Sequence, residues 1–257
     1  GNRWSARGRK ERSGPMSPEA LPPTTLLLLH ALASGLVCLL SFEAGRWFVR
    51  DEMQHWLGLR RAQLVLAGPG LWRLLGLCAY FGFFVIFGHQ LGLAQALAMG
   101  LFTGLLSLAA MVDLRSRLLP DRLTLGLVIL GLCLAAAELT VSLTEALAGG
   151  LTGYLLPWAL AKLTDRRRRS RLPATTSMEP SMGRGDFALI AAIGCWLGFS
   201  SLAFVLVFAS LGMLALAIWG FLRRGWRLST ALPFGPALCL AAMAVAPFTP
   251  MTGPAGL

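Results

Sequence analysis

Residues 91–117 read LGLAQALAMGLFTGLLSLAAMVDLRSR, and this stretch decides the fold. No charged side chain lies between Leu91 and Val112. A helix of that length rises ~33 Å, enough to cross the roughly 30 Å hydrocarbon core of a bilayer. The run ends on Asp113, followed by Arg115 and Arg117. A carboxylate at the end of an apolar helix is costly unless it faces a wet cavity or a partner. Fold and chemistry therefore meet in one segment.

Seven more apolar segments surround it. The spans are read as 24–42, 71–88, 91–112, 122–140, 143–163, 186–199, 201–222 and 231–249, which predicts an all-α membrane protein, a polytopic bundle of about eight transmembrane helices. The sixth is too short for a full straight crossing and is read as a half-length helix leaning on its neighbours. Composition agrees: 56% of the 257 residues are hydrophobic, only 14% are charged, and the mean hydropathy is +0.66. Soluble domains carry roughly 25% charge. Residues 1–23 form a polar tail; because the first methionine is Met16, residues 1–15 are expected to be non-native. Residues 24–70 are read as the first span and a short cytoplasmic or interfacial loop, in which 43–70 carries Trp47, Trp56 and several arginines at headgroup depth. Residues 71–249 form the main bundle and 250–257 a C-terminal tail.

The net charge of +11 does not point to nucleic acid, because the basic residues fall in short clusters between apolar runs. Those clusters set the orientation instead. Arg46, Arg50, Arg60, Arg61 and Arg73 lie between spans one and two, and Arg115, Arg117 and Arg122 between three and four. Lys162, Arg166 to Arg169, Arg171 and Arg184 lie between five and six, and Arg223, Arg224 and Arg227 between seven and eight. The loops after spans two, four and six have no Lys or Arg. The positive-inside rule then places the four basic loops in the cytoplasm. The five cysteines, Cys38, Cys78, Cys133, Cys195 and Cys239, form no C-x-x-C pair and read as packing residues rather than metal ligands. Gly100–Gly104, Gly149–Gly153 and Gly194–Gly198 have the spacing that lets helix backbones approach closely.

The second chemical element is Gly183-Arg184-Gly185-Asp186, which opens the sixth span. Taken singly, Asp113 reads as a headgroup-level carboxylate paired with Arg115 or Arg117, and Asp186 as an N-cap. The pair carries more. An orientation drawn from arginines alone puts both at the same cytoplasmic edge. Two adjacent carboxylates titrate as a coupled pair. One, ionised, takes a proton from water; the other, protonated, donates to a scissile carbonyl.

Three stretches then carry a resemblance: Asp113 to Asp121 (DLRSRLLPD), Gly183 to Phe187 continuing to Gly198, and Leu232-Pro-Phe-Gly-Pro236-Ala-Leu. Together they resemble the type IV prepilin peptidases, intramembrane aspartyl proteases of the GxGD kind, over roughly residues 71–249. The resemblance implies removal of the leader peptide of type IV prepilins or type II secretion pseudopilins at the inner membrane. It implies Asp113 and Asp186 as catalytic residues, with Gly183 and Gly185 letting the substrate backbone lie beside Asp186. Proteolysis of this kind needs no cofactor and no metal; the expected partners are prepilins, pseudopilins and membrane lipids. Asp121 is assigned to capping the fourth span. Many members also N-methylate the product with S-adenosylmethionine and carry a cysteine tetrad after the first span. Residues 43–70 have no cysteine, so S-adenosylmethionine is expected only where methylation is retained. Ala188 stands where the family often has lysine. The polar loop 163–185 is read as a mobile connector rather than a gate on substrate entry; a gate would show as a changed cleavage rate on shortening residues 170–178.

Three other readings compete. A serine protease would use Gly198-Phe199-Ser200 with His30, His55 or His89. A transporter would use the aspartates to carry ions. A non-catalytic membrane component would keep the fold without the activity.

Overall fold

The computed structural model describes residues 23–68, 70–87, 92–170, 183–224 and 233–251. The polar tail up to residue 22, the connector at 171–182, His89, and the C-terminal tail from 252 lie outside the described residues. Among the described residues there are eight α-helices and no strand: α1 Pro23–Leu57, α2 Leu59–Leu66, α3 Gly70–Phe87, α4 Leu93–Ser116, α5 Asp121–Ala136, α6 Leu143–Arg169, α7 Arg184–Arg224 and α8 Gly235–Val245. A 3₁₀ turn, Ala246–Phe248, follows α8.

The chain is an all-α membrane bundle. Three helical segments are individually long and apolar enough to cross a bilayer: Thr25–Leu57, Leu93–Ser116 and Arg184–Arg223. Leu59–Leu66 and Gly70–Gly82, bent by 40°, pass together as a fourth. Leu28, Leu32, Leu36 and Leu40 form an exposed stripe at four-residue spacing along α1. That surface is tolerable only where lipid covers it.

Eight helices and eight predicted spans do not correspond one to one. The first span does not stop at residue 42. The helix continues unbroken to Leu57, because charged residues do not end a helix and Glu43 pairs with Arg46 one turn on, at 2.8 Å. The remainder of the predicted interfacial segment is α2, whose Ala62, Val65 and Leu66 are buried while Leu59, Arg60, Arg61 and Leu64 are exposed. The predicted connector at 163–185 also begins later than its polarity suggests. Arg166 to Arg169 occupy the last turn of α6, where cations are favoured by the helix dipole.

The sixth and seventh spans share α7, interrupted at Gly198 (φ 77°, ψ 171°). Unbroken, the helix from Asp186 to Arg224 would be ~57 Å long. Yet Asp186 and Gly235 both neighbour Asp113, and the chain from Arg224 to Gly235 reaches ~40 Å at most. The second limb must therefore turn back at Gly198. Only glycine adopts that φ without strain. Glu145, in the first turn of α6, seals the break by accepting hydrogen bonds from the Phe199 and Ser200 amides at 2.9 and 3.3 Å.

Helix α4 is the hub, packed by α1, α3, α5 and α8, while α7 packs on α5, α6 and α8. Two buried hydroxyls of α4 are satisfied along the helix: Thr103 donates to the Met99 carbonyl and Ser107 to the Thr103 carbonyl, at 2.7 and 2.8 Å. Trp196 of α7, fully buried, stacks on Phe102 of α4 (4.8 Å between centroids) and donates to the Leu127 carbonyl of α5 at 2.8 Å. One side chain thus ties three helices together. The glycine pairs do the rest. A Cβ on Gly100 or Gly104 would lie 2.3 Å from the backbone oxygen of Ser34 or Cys38 on α1, and one on Gly149 or Gly194 would lie 2.3 Å from the other's carbonyl.

Candidate aspartate site

Asp113 sits in the last turn of α4 and is buried, with 6% of its surface exposed. The arginine pairing that its sequence suggests is not what the fold builds. Arg115 points away, donating to the carbonyls of Val65 (2.8 Å), Ala67 and Gly68 (3.4 Å) at the C-terminal end of α2. Arg117 closes the helix in a left-handed conformation (φ 54°), and its positive charge acts on Asp113. The Asp113 Oδ2 atom is buried without a hydrogen-bond partner among the described residues. It lies against the start of α8, so closely that a Cβ on Gly235 would come within 2.5 Å of it.

Asp186 is not an N-cap. Helix α7 starts at Arg184, Asp186 lies in its first turn, and its own amide donates to the Gly183 carbonyl at 3.2 Å. The side chain is half-buried and close enough to Asp113 for the two carboxylates to interact. Cys239, fully buried one turn into α8, neighbours both. Three helix ends therefore converge: the C-terminus of α4 and the N-termini of α7 and α8. Two of them carry a carboxylate, and the third brings a bare glycine backbone.

The glycines beside Asp186 differ from one another. Gly185 is filled from below, since a Cβ there would meet the Leu119 Cβ at 2.9 Å. Its need for glycine is a packing need. Gly183 is exposed, and a Cβ on it would make only ordinary contact, 3.7 Å, with Asp186 Oδ2. Asp121 is the first residue of α5, behind Pro120 as the cap residue, so it does not cap that helix. Glu52 of α1 caps it instead, accepting from the Asp121 and Arg122 amides at 3.0 and 3.1 Å. Sequence reasoning missed both Glu52 and Gly235. Each acts across a large sequence separation, and only the quoted Leu232-Pro-Phe-Gly-Pro236 motif signalled the second. Ser200 of the competing serine reading lies beside the Glu145 carboxylate.

Comparison with known proteins bears on the same stretch of chain. The type IV leader peptidase family matches residues 100–218, which include both aspartates. A prepilin leader peptidase/N-methyltransferase of Aeromonas hydrophila is 38% identical over 149 residues, 56% of this chain and 47% of that protein. One of Dickeya chrysanthemi is 34% identical over 204 residues, 75% of this chain and 66% of the relative. One of Burkholderia pseudomallei (strain 1026b) is 35% identical over 157 residues, 61% and 47% of the two chains. The chain spans about half the length of most of these relatives. No solved structure matches it. Its sequence matches and its paired aspartates converge on one assignment: the chain belongs to the type IV leader peptidase family.

Proposed function

We propose that this protein is an intramembrane aspartyl endopeptidase that removes the leader peptide of type IV prepilins or type II secretion pseudopilins, at the cytoplasmic side of a bacterial inner membrane. The observation that carries the reading is the meeting of Asp113 and Asp186 at three helix ends. A buried carboxylate against a helix N-terminus and a half-buried one open to water are unequal partners. One carboxylate, ionised, takes a proton from a water molecule, whose oxygen attacks the scissile carbonyl carbon. The other, protonated, donates to the carbonyl oxygen. The resulting gem-diol collapses as the amide nitrogen takes the proton that the first carboxylate removed from water, the second carboxylate recovers its proton from a diol hydroxyl, and the C–N bond breaks. Exposed Gly183 leaves the face beside Asp186 open, which suits an extended substrate backbone lying there.

The basic segments at Arg115–Arg122, Arg166–Arg169 and Arg223–Arg224 support a cytoplasmic location for this end. N-methylation is a separate matter. Residues 43–70 continue α1 and form α2, and they hold no cysteine for the tetrad that many family members carry after the first span.

The test is cleavage of a purified prepilin or pseudopilin in liposomes by the wild type, Asp113→Asn and Asp186→Asn. Each variant should lose at least about 10²–10⁴-fold in rate, the usual contribution of a positioned acid or base. Cleavage persisting in both would overturn the mechanism. The mass of the product's amino terminus reports any added methyl group.

A further inference from the structure

A cleft of about 290 Å³ opens between α1 and α2, lined by Arg46, Arg50, Gln54, Ala62, Gln63, Leu66 and Ala67. Its polar wall comes from α1 at four-residue spacing, and its other wall is the amphipathic α2. None of the lining residues is acidic. Arg46 is fixed in place: it donates to the Leu66 carbonyl at 2.6 Å and to Glu43 at 2.8 Å, and Glu43 is held in turn by Arg73. The Arg46 Nε atom is buried and makes no hydrogen bond among the described residues, so an anionic oxygen in the cleft meets Arg46 through the remaining N–H groups of its guanidinium end. Arg50 is exposed and has no carboxylate partner among the described residues.

The surroundings identify the level in the membrane. Trp47 and Trp56 on α1 are exposed, as are Leu59 and Leu64 on α2, next to Arg60 and Arg61. Aromatic and apolar groups alternating with arginines mark the headgroup layer. We propose that this cleft binds the phosphate of an anionic phospholipid headgroup, with Arg46 and Arg50 as its ligands, Gln54 and Gln63 reaching the glycerol, and the acyl chains lying along the exposed apolar side chains. The bound headgroup would brace the segment Val65–Gly68. Arg46 holds that segment from one side and Arg115 from the other, and Arg115 is two residues from Asp113 on the same helix. An effect on proteolysis through that brace rests on the peptidase reading; the binding does not.

The experiment uses the full chain exchanged into vesicles of phosphatidylcholine with and without phosphatidylglycerol, scored by native mass spectrometry of retained lipid. The wild type should retain phosphatidylglycerol over phosphatidylcholine. Arg50→Gln should weaken that preference about fivefold, the worth of one arginine at an anionic surface. Arg46→Gln should weaken it further, and circular dichroism checks that each variant stays folded. The paired change Arg60→Gln with Arg61→Gln, outside the cleft, should leave it within twofold. Equal loss in the paired control would mean unspecific surface attraction and overturn the site. Retention unchanged by Arg50→Gln in a folded protein would overturn it equally. Displacement of the lipid by millimolar glycerol 3-phosphate would assign the cleft to a soluble phosphate and overturn the lipid assignment.

Discussion

A methyl group on residue 235 has nowhere to go. An alanine Cβ there would sit 2.5 Å from Asp113 Oδ2 and 2.9 Å from its Cγ. Nothing flexible separates the two, so either the carboxylate swings away or α8 backs off. Displacement of a reacting group by about 1 Å costs on the order of 10²-fold in rate. Gly235→Ala is therefore expected to cut prepilin cleavage about 10–100-fold while the protein still folds and inserts, read from initial rates beside the thermal melt. Wild-type rates in the folded variant would show that the contact between α8 and Asp113 has no part in catalysis. At this scale the sequence was legible where charge stood out against apolar surroundings. Asp113 and Asp186 announce themselves because a carboxylate in an apolar run demands an explanation. Gly235 does not, because its importance lies in what it touches 122 positions away. Asp121 misled for a related reason. An acid behind proline looks like a cap, but the helix already begins there and a glutamate from another helix supplies the oxygens.

Between elements, the tightest constraint is the crossing of α6 and α7. At Gly149 and Gly194 each backbone meets the other's carbonyl, and the neighbouring atoms are main chain. Main chain cannot rotate out of the way, so a side chain at either position forces the helices apart and strips contacts from Trp196 and the Glu145 seal. Gly149→Val is expected to destabilise by about 1–3 kcal/mol, the usual cost of overpacking. Gly126→Ala is the matched control: α5 is helical there and, outside its own helix backbone, no atom of the described residues lies within 4 Å of the added Cβ. It should be neutral or stabilising by up to about 1 kcal/mol. Thermal unfolding of both in the same detergent checks the contrast, and similar shifts for the two would refute close approach at Gly149. The close approaches at Gly100, Gly104, Gly149, Gly153 and Gly194 were readable as packing from spacing alone, whereas Gly198 turned out to break its helix. Which helix each pair meets was not, since spacing gives a face and only the bundle gives its partner. The ends of α1 and α6 were misjudged for a different reason. Hydropathy reports where lipid stops, whereas a helix continues until its backbone hydrogen bonding is interrupted.

On the scale of the whole molecule, the apolar runs marked a helical membrane bundle, but neither which helices are long enough to cross on their own nor how the chain reverses. The sixth and seventh spans looked like two segments joined by almost no loop. The structure resolves this with one glycine, Gly198, whose left-handed backbone breaks α7 where Glu145 accepts the freed amides. The reversal matters for the site. It returns the chain to the level of Asp186, so that a short connector can deliver Gly235 to Asp113. It also makes a prediction about sidedness that an uninterrupted α7 does not share. With the five native cysteines replaced, Ser200→Cys places a single thiol at the break, at an exposed residue, and Arg224→Cys places one at the far end of the second limb. If the limb turns back and the basic ends face the cytoplasm, a membrane-impermeant maleimide should label Ser200→Cys in spheroplasts. Arg224→Cys should then react only after the membrane is opened. An α7 running straight through would put residue 224 on the side opposite Asp186, and labelling of Arg224→Cys in sealed spheroplasts would rule out the reversal. Such a chain would also have to bridge back across the bilayer within the residues between Arg224 and Gly235, and their extended length of ~40 Å falls short of the ~57 Å required.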